Sequence, residues 1–238
     1  MTQCHNMPKK ENIQNMFDGI APSYDKLNHI MSLGVDRLWR RRAVKELVDG
    51  SCQKILDVAC GTGDSTIELA KRAGSGSVIT GVDISAAMME PLMRKAAKAC
   101  VHDRIHIKVA DGADLPYADG SFHAVTCSFG IRNFEDKSKG LREFLRVLKP
   151  GGKMVILELS VPDNRRLRKW YDVYFMHIMP WMGGLVSGNK EAYRYLPASV
   201  KAFPAPESFC DMIRQAGFRG VRFRTLSLGL CRMYIAEK

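Results

Sequence analysis

Residues 54–66 read KILDVACGTGDST. Ile55, Leu56 and Val58 are apolar and suit a short buried strand. Ala59-Cys60-Gly61-Thr62-Gly63-Asp64 follows, where small residues and two glycines predict a sharp turn. From Ser65 the pattern becomes helical, with Ile67, Leu69 and Ala70 on one side. A strand that turns through glycines into a helix builds a nucleotide-type site. The glycines let backbone approach a ligand, and the helix start offers unpaired N–H groups.

The same alternation repeats down the chain. A second strand is expected over 77–82, ending at Asp83, with Ser85 as the N-cap of a helix over 86–99 that carries Pro91. A third strand over 105–109 runs into Asp111 and Gly112. A fourth over 121–128 is followed by the loop Phe129–Phe134 and a helix over 136–148. The turn KPGGK (149–153) leads to a fifth strand over 154–158. This order predicts a mostly parallel sheet covered on both faces, with ligands beyond the carboxyl ends of the strands. The residues there are Gly61–Asp64, Asp83, Asp111–Gly112, Ser128–Asn133 and Glu158–Ser160. A helix over 205–216 and strands over 221–226 and 230–236 close the chain as an antiparallel edge hairpin, for seven strands in all.

Two regions stand outside the alternation. Residues 8–50 form an N-terminal helical cap, including a helix over 36–47. That helix has Leu38, Trp39, Val44 and Leu47 on one side and Arg37, Arg40, Arg41, Arg42 and Lys45 around the rest. The cations make either a solvated face or a membrane- or substrate-facing surface. Residues 162–205 form a helical insertion, with Arg165, Arg166, Arg168 and Lys169 ahead of a stretch rich in aromatic residues and methionine, from Tyr171 to Val186. It packs on the core or forms a greasy pocket or lid. The whole, 1–238, is expected to be a single domain.

The apolar fraction of 46% suffices for a core, and no run of 18 apolar residues predicts a membrane span. The start has no apolar run of signal-peptide length. Seven cysteines without a CxxC pair read as reduced thiols, so a cytoplasmic location is expected, at the inner face of a membrane if the basic surface binds lipid. The net charge of +11 invites nucleic acid, an anionic membrane or an anionic ligand.

The ligand follows from what the glycine turn lacks. Thr66 stands where a dinucleotide fingerprint needs a third glycine, and no Gly-Lys-Ser/Thr follows to make a P-loop. Asp64 would repel a phosphate and suits a positive centre with an amino group. S-adenosylmethionine has both. Asp83, 21 residues past Thr62 at the next strand end, is placed for ribose hydroxyls. His102 and His106 read as a surface pair, and no metal is expected.

DVACGTGD, Asp83 and KPGG in this order resemble the Rossmann-like class I S-adenosylmethionine-dependent methyltransferases. FDGIAPSYDKLNHIMSLGVDRLWR, SFGIRNFEDK, LRVLKPGGKMVILELS and EAYRYLPASV tighten the match to the ubiquinone/menaquinone C-methyltransferase family. The resemblance implies that Gly61, Gly63 and Asp64 form the cofactor turn and that Thr62 contacts the methionine portion. Asp83 would hold the ribose, Asp111 and Gly112 would flank adenine, and Ser128 would line the site by the transferred methyl. His123 departs from the family by replacing a usual acidic residue, and is expected to face away from the site.

Carbon methylation needs an electron-rich ring, so the reduced quinol is the expected substrate. Arg132, Asn133 and Tyr24 are the expected catalytic group, with Arg132 stabilising the quinolate. The other reading of Arg132 is a salt bridge to Glu135 or Asp136. Expected partners are a polyprenylated quinol, a membrane surface and a second copy of the chain, with no nucleic acid. The ring is expected to be demethylmenaquinol, with the benzoquinol of ubiquinone biosynthesis as the alternative. A nucleic-acid methyltransferase fits the charge, but the SFGIRNF loop has no proline and no aromatic–basic stacking surface is evident. A non-enzymatic cofactor-binding scaffold is disfavoured by Asp64, Asp83 and Asp111 being present together.

Overall fold

The protein is seen here in a computed structural model. It describes residues 10–21, 24–25, 32, 34–173 and 190–238. Two helices come first, α1 (Lys10–Ile20) and α2 (Val35–Leu47). The alternating part follows: β1 (Lys54–Val58), α3 (Asp64–Arg72), β2 (Val78–Asp83), α4 (Ala86–Lys98), β3 (Ile105–Val109), β4 (Phe122–Ser128), α5 (Lys137–Val147) and β5 (Leu148–Leu159). After it stand α6 (Arg165–Val173), α7 (Lys190–Ala202), α8 (Pro206–Gln215), β6 (Arg219–Leu226) and β7 (Cys231–Glu237).

The seven strands pair in the order β3-β2-β1-β4-β5-β7-β6. β1 to β5 pair in parallel, while β7 is antiparallel to both β5 and β6. The expected edge hairpin is present, with its second strand folded inward against β5. Side chains alternate across the strands and divide the core in two. Ile55, Ile79, Ala124, Val155 and Ile235 meet α2, α3 and α4 through Trp39, Val44, Leu69 and Leu92. Leu56, Val125, Ile156 and Tyr234 meet α5 and α8 through Leu141, Phe144, Phe209 and Ile213. Each fully buried aliphatic side chain contributes roughly 1.5–3 kcal/mol.

Local chemistry explains the boundaries. Ser85 Oγ accepts from Met88 N at 3.0 Å and caps α4, as the sequence predicts. Asp136 Oδ1 accepts from Lys139 N at 2.8 Å and caps α5. Pro91 lies inside α4, which runs on to Lys98. The KPGGK turn is not a break before β5 as expected; it is a bulge inside it. Phe122 pairs with Leu148 and Ala124 with Lys153, so one residue of β4 faces four of β5. Gly151 and Gly152 bond across to Lys238 there. His123 sits at this bulge, away from the carboxyl ends of the strands, and its Nδ1 accepts from Lys54 N at 2.9 Å.

The basic helix α2 divides its cations. Arg37, Arg41, Arg42 and Lys45 are exposed, while Arg40 turns inward with its guanidinium 4.9 Å from the Phe129 ring centroid. The N-terminal cap and the 162–205 insertion are represented by α1, α2, α6 and α7. Tyr171 is buried, while the rest of the greasy stretch, from Tyr174 to Val186, lies outside the described residues. Six of the cysteines are free thiols. No described helix is long and apolar enough to cross a membrane.

Candidate functional site

A cavity of about 210 Å³ lies beyond the carboxyl ends of β1, β2 and β4. Asp83, at the end of β2, is its best-held carboxylate. Its Oδ2 accepts from Gly61 N at 2.8 Å and its Oδ1 from Ser85 N at 2.9 Å. Burial raises the Asp83 pKa above the usual carboxylate range, against the pull of these N–H groups. One aspartate thus ties the glycine turn to the cap of α4 while facing the cavity. Asp111 lies across from it on the loop after β3, with Oδ1 accepting from Ala113 N at 2.9 Å.

Two glycines make the close packing possible. Gly63 has φ +85°, and a Cβ there would stand 2.2 Å from Leu92 Cγ. A Cβ on Gly112 would stand 2.4 Å from Phe134 Cζ and 2.7 Å from Val58 Cγ1. Thr66, at the position of the third glycine of a dinucleotide site, is buried, and its Oγ1 donates to Asp57 Oδ2 at 2.6 Å.

Of the residues expected at the site, Tyr24, Gly61, Asp83, Asp111, Gly112, Ser128 and Asn133 all line this cavity. Thr62, Gly63, Asp64 and Arg132 do not. Thr62 is 4% exposed and its hydroxyl donates to Asp25. Asp64, read from sequence as facing a positive ligand centre, instead meets Lys95 Nζ at 2.5 Å, and Lys95 also meets Asp25 at 2.7 Å. The acidic residues that line the cavity are therefore Asp83, Asp111, Glu135 and Asp136, with Lys139 beside them.

Arg132 is corrected more sharply. The salt-bridge reading names Glu135 or Asp136; the structure gives Glu158, at 2.8 Å from Arg132 Nη1, with both side chains almost wholly buried. Glu158 Oε2 also accepts from Arg132 N at 3.1 Å, and Nη1 donates to Phe129 O. Burial works against the charge on Arg132, but Glu158, with Tyr24 and Tyr195, holds its pKa above the ordinary value. This pair anchors the short 3₁₀ turn Ile131–Asn133 and so presents Asn133 to the cavity. Tyr195 OH donates to Asn133 Oδ1 at 2.9 Å. That bond orients the amide so that its NH₂ remains a donor.

Three further participants escaped the sequence reading. Asp57, in β1 under the glycine turn, is fully buried, and its Oδ1 has no hydrogen-bond partner among the described residues. Burial pushes its pKa up to about 7, opposed by Thr66 and Arg40. The signal was a carboxylate inside an apolar strand. Arg40 Nη1 bonds Ser65 Oγ at 2.7 Å, and Ser65 Oγ donates to Ser128 Oγ at 3.0 Å, which reaches the cavity from below. α1 supplies a wall through Ile13 and Phe17, with Asp18 accepting from Ser85.

The site fits an adenosyl ligand: acidic groups for hydroxyls and an amine, glycines where backbone comes close, and an apolar wall of Ile84, Met88 and Phe129 for a flat base.

The comparisons agree. The profile of the ubiE/COQ5 methyltransferase family matches residues 5–238. The chain is 46% identical over 230 residues to the ubiquinone/menaquinone biosynthesis C-methyltransferase UbiE of Geotalea daltonii, covering 97% of each chain. It is 45% identical to the demethylmenaquinone methyltransferase of Bacteroides fragilis, covering 97% of this chain and 94% of that one. Among solved structures it is similar in fold to the cyclase SpnF, with a TM-score of 0.72 at 18% identity and 97% of each chain covered. An S-adenosylmethionine-dependent methyltransferase from Thermotoga maritima gives 0.64 at 19% identity, covering 94% and 99%. S-adenosylmethionine is the cofactor that the family and this cavity together lead one to expect. From the match over nearly its whole length, the chain belongs to the ubiE/COQ5 methyltransferase family.

Proposed function

We propose that this protein methylates a ring carbon of a polyprenylated quinol, converting demethylmenaquinol to menaquinol. The observation that carries the reading is one cavity lined both by Gly61, Asp83, Asp111 and Gly112 and by Ser128, at the end of β4, and Asn133, on the loop after it. The naming of relatives for this activity supports it.

When bound, S-adenosylmethionine supplies an electrophilic methyl group on a sulfonium. The residues present divide the remaining work. Asp83 would accept hydrogen bonds from ribose hydroxyls with the lone pairs left by Gly61 and Ser85. Asp111 would accept from the exocyclic amine beside Gly112. At the ring, the Asn133 NH₂, oriented by Tyr195, donates to the oxygen that gains charge as the quinol passes its phenolic proton to a water molecule. Arg132 acts from behind, holding the turn that carries Asn133 through its bond to Glu158. Tyr24 closes the wall and limits water.

The isoprenoid tail keeps the substrate in a bilayer, so the protein meets it at the cytoplasmic membrane surface. The test is transfer of label from S-adenosylmethionine to reduced naphthoquinol and reduced benzoquinol. Label on the naphthoquinol ring carbon is the expected result, and its absence from both rings would sink the reading. The benzoquinol reading stays in the test because the Geotalea relative's name covers both ring types.

A further inference from the structure

The turn between β6 and β7 stands at the same rim as the cavity. β7 is antiparallel to β5, and Cys231 at its start pairs with Leu159 at the end of β5. The turn, residues 227–230, displays apolar side chains: Leu228 is 74% exposed and Leu230 37%. Ser227 and Leu228 hold φ of +45° and +57°, a region that Cβ sterics disfavour for leucine.

Two cationic helices flank it. On one side, Trp39 Nε1 of α2 donates to Ser227 Oγ at 2.9 Å, and the neighbouring Leu38 is 52% exposed. On the other, Ser160 Oγ donates to Gly229 O at 2.6 Å and Gly229 lies against Pro162 and Asp163, which lead into α6. Arg37, Arg41, Arg42 and Lys45 of α2 are exposed. So are Arg165, Arg166, Arg168 and Lys169 of α6. The α6 cations crowd the positive end of their helix with no acidic residue in its first turn, which the helix dipole opposes. Among nearby carboxylates, Glu46 pairs with Arg224 and Asp163 with Arg232, outside the two cation sets, while Glu68 pairs with Arg72 and also with Arg41 of α2.

An apolar tip between two cation sets suits an anionic bilayer better than nucleic acid. Among the described residues, the exposed large apolar side chains are aliphatic, so the tip itself carries no ring for bases to stack on. We propose that the Leu228–Leu230 turn inserts into the interfacial layer of an anionic membrane while α2 and α6 rest their cations on its headgroups. The cavity rim then faces the lipid from which the substrate comes. This surface rests on the reading that the substrate is lipid-tailed.

The test is cosedimentation with vesicles of phosphatidylcholine, with and without phosphatidylglycerol. Wild type is expected to bind the anionic vesicles more tightly. Leu228→Asn, which tolerates the left-handed backbone, is expected to bind about tenfold more weakly. Arg165→Gln and Arg166→Gln are each expected to weaken anionic binding about fivefold. Both kinds of variant keep wild-type methyl transfer to a short-tailed naphthoquinol in solution. Vesicle binding unchanged in Leu228→Asn, or equal binding to neutral and anionic vesicles, overturns the surface. So does single-stranded RNA binding that survives Leu228→Asn in a protein that binds no vesicle. Failure of wild type to methylate the soluble quinol strikes instead at the functional reading.

Discussion

Arg132 and Glu158 form a buried ion pair at 2.8 Å, joining the loop after β4 to the end of β5. Removing one partner leaves the other charged and desolvated, at a cost of about 3–5 kcal/mol. Arg132→Met and Glu158→Leu are each expected to lose that much stability in urea unfolding. The double variant is expected to recover much of it, because no orphan charge remains. Turnover is expected to stay at least about tenfold down in the double variant, since Asn133 loses its support. Single variants within about 1 kcal/mol of wild type would show the pair to be incidental.

Asp57 makes stability depend on pH. Its folded pKa is raised from 3.8 to about 7, so the folded protein holds a proton that the unfolded chain gives up. Stability therefore falls as pH rises between those two values and is flat above the higher one. Wild-type protein without cofactor is expected to lose about 2 kcal/mol between pH 5.5 and pH 8 through this group. In Asp57→Asn that slope disappears. Denaturant melts at the two pH values check it, and an unchanged slope would remove Asp57 as its source.

Gly63 has no room for a methyl group. A Cβ would sit 2.2 Å from Leu92 Cγ at φ +85°. Gly63→Ala is expected to cost about 2–4 kcal/mol and to loosen the cofactor turn. Calorimetric unfolding measures the first effect and titration with S-adenosylhomocysteine the second. Near-wild-type values in both would mean that α4 yields easily.

Asp25 latches the N-terminal segment. It accepts from Thr62 and meets Lys95 at 2.7 Å, with both ionic partners 29% exposed. Because Tyr24 lines the cavity, releasing Asp25 frees one wall. The partly solvated pair is worth about 0.5–1 kcal/mol. Asp25→Asn is expected to weaken S-adenosylhomocysteine binding about threefold to fivefold while the melting temperature stays within about 2 °C of wild type. Isothermal titration reads the change, and equal affinity would free Asp25 from this role.

Much of the architecture was legible because it is local. KILDVACGTGDST carries its strand, turn and helix in adjacent residues, and Ser85 caps the helix that begins right after it. The strand ends Asp83 and Asp111 follow from the same alternation, and both reach the cavity. Less was visible where partners are far apart in the chain. Arg132 has acidic neighbours at 135 and 136, yet bonds one 26 residues away, because β5 lies beside β4. Asp64 was read as a ligand group because Lys95 is 31 residues distant.

The sequence by itself determined the order of strands and helices, the glycine turn and the family resemblance, since each is written in short-range spacing. Only the tertiary structure decided which charges are already neutralised and which remain for a ligand. Ion pairing depends on distance in space, and a parallel sheet brings together residues that the chain keeps apart.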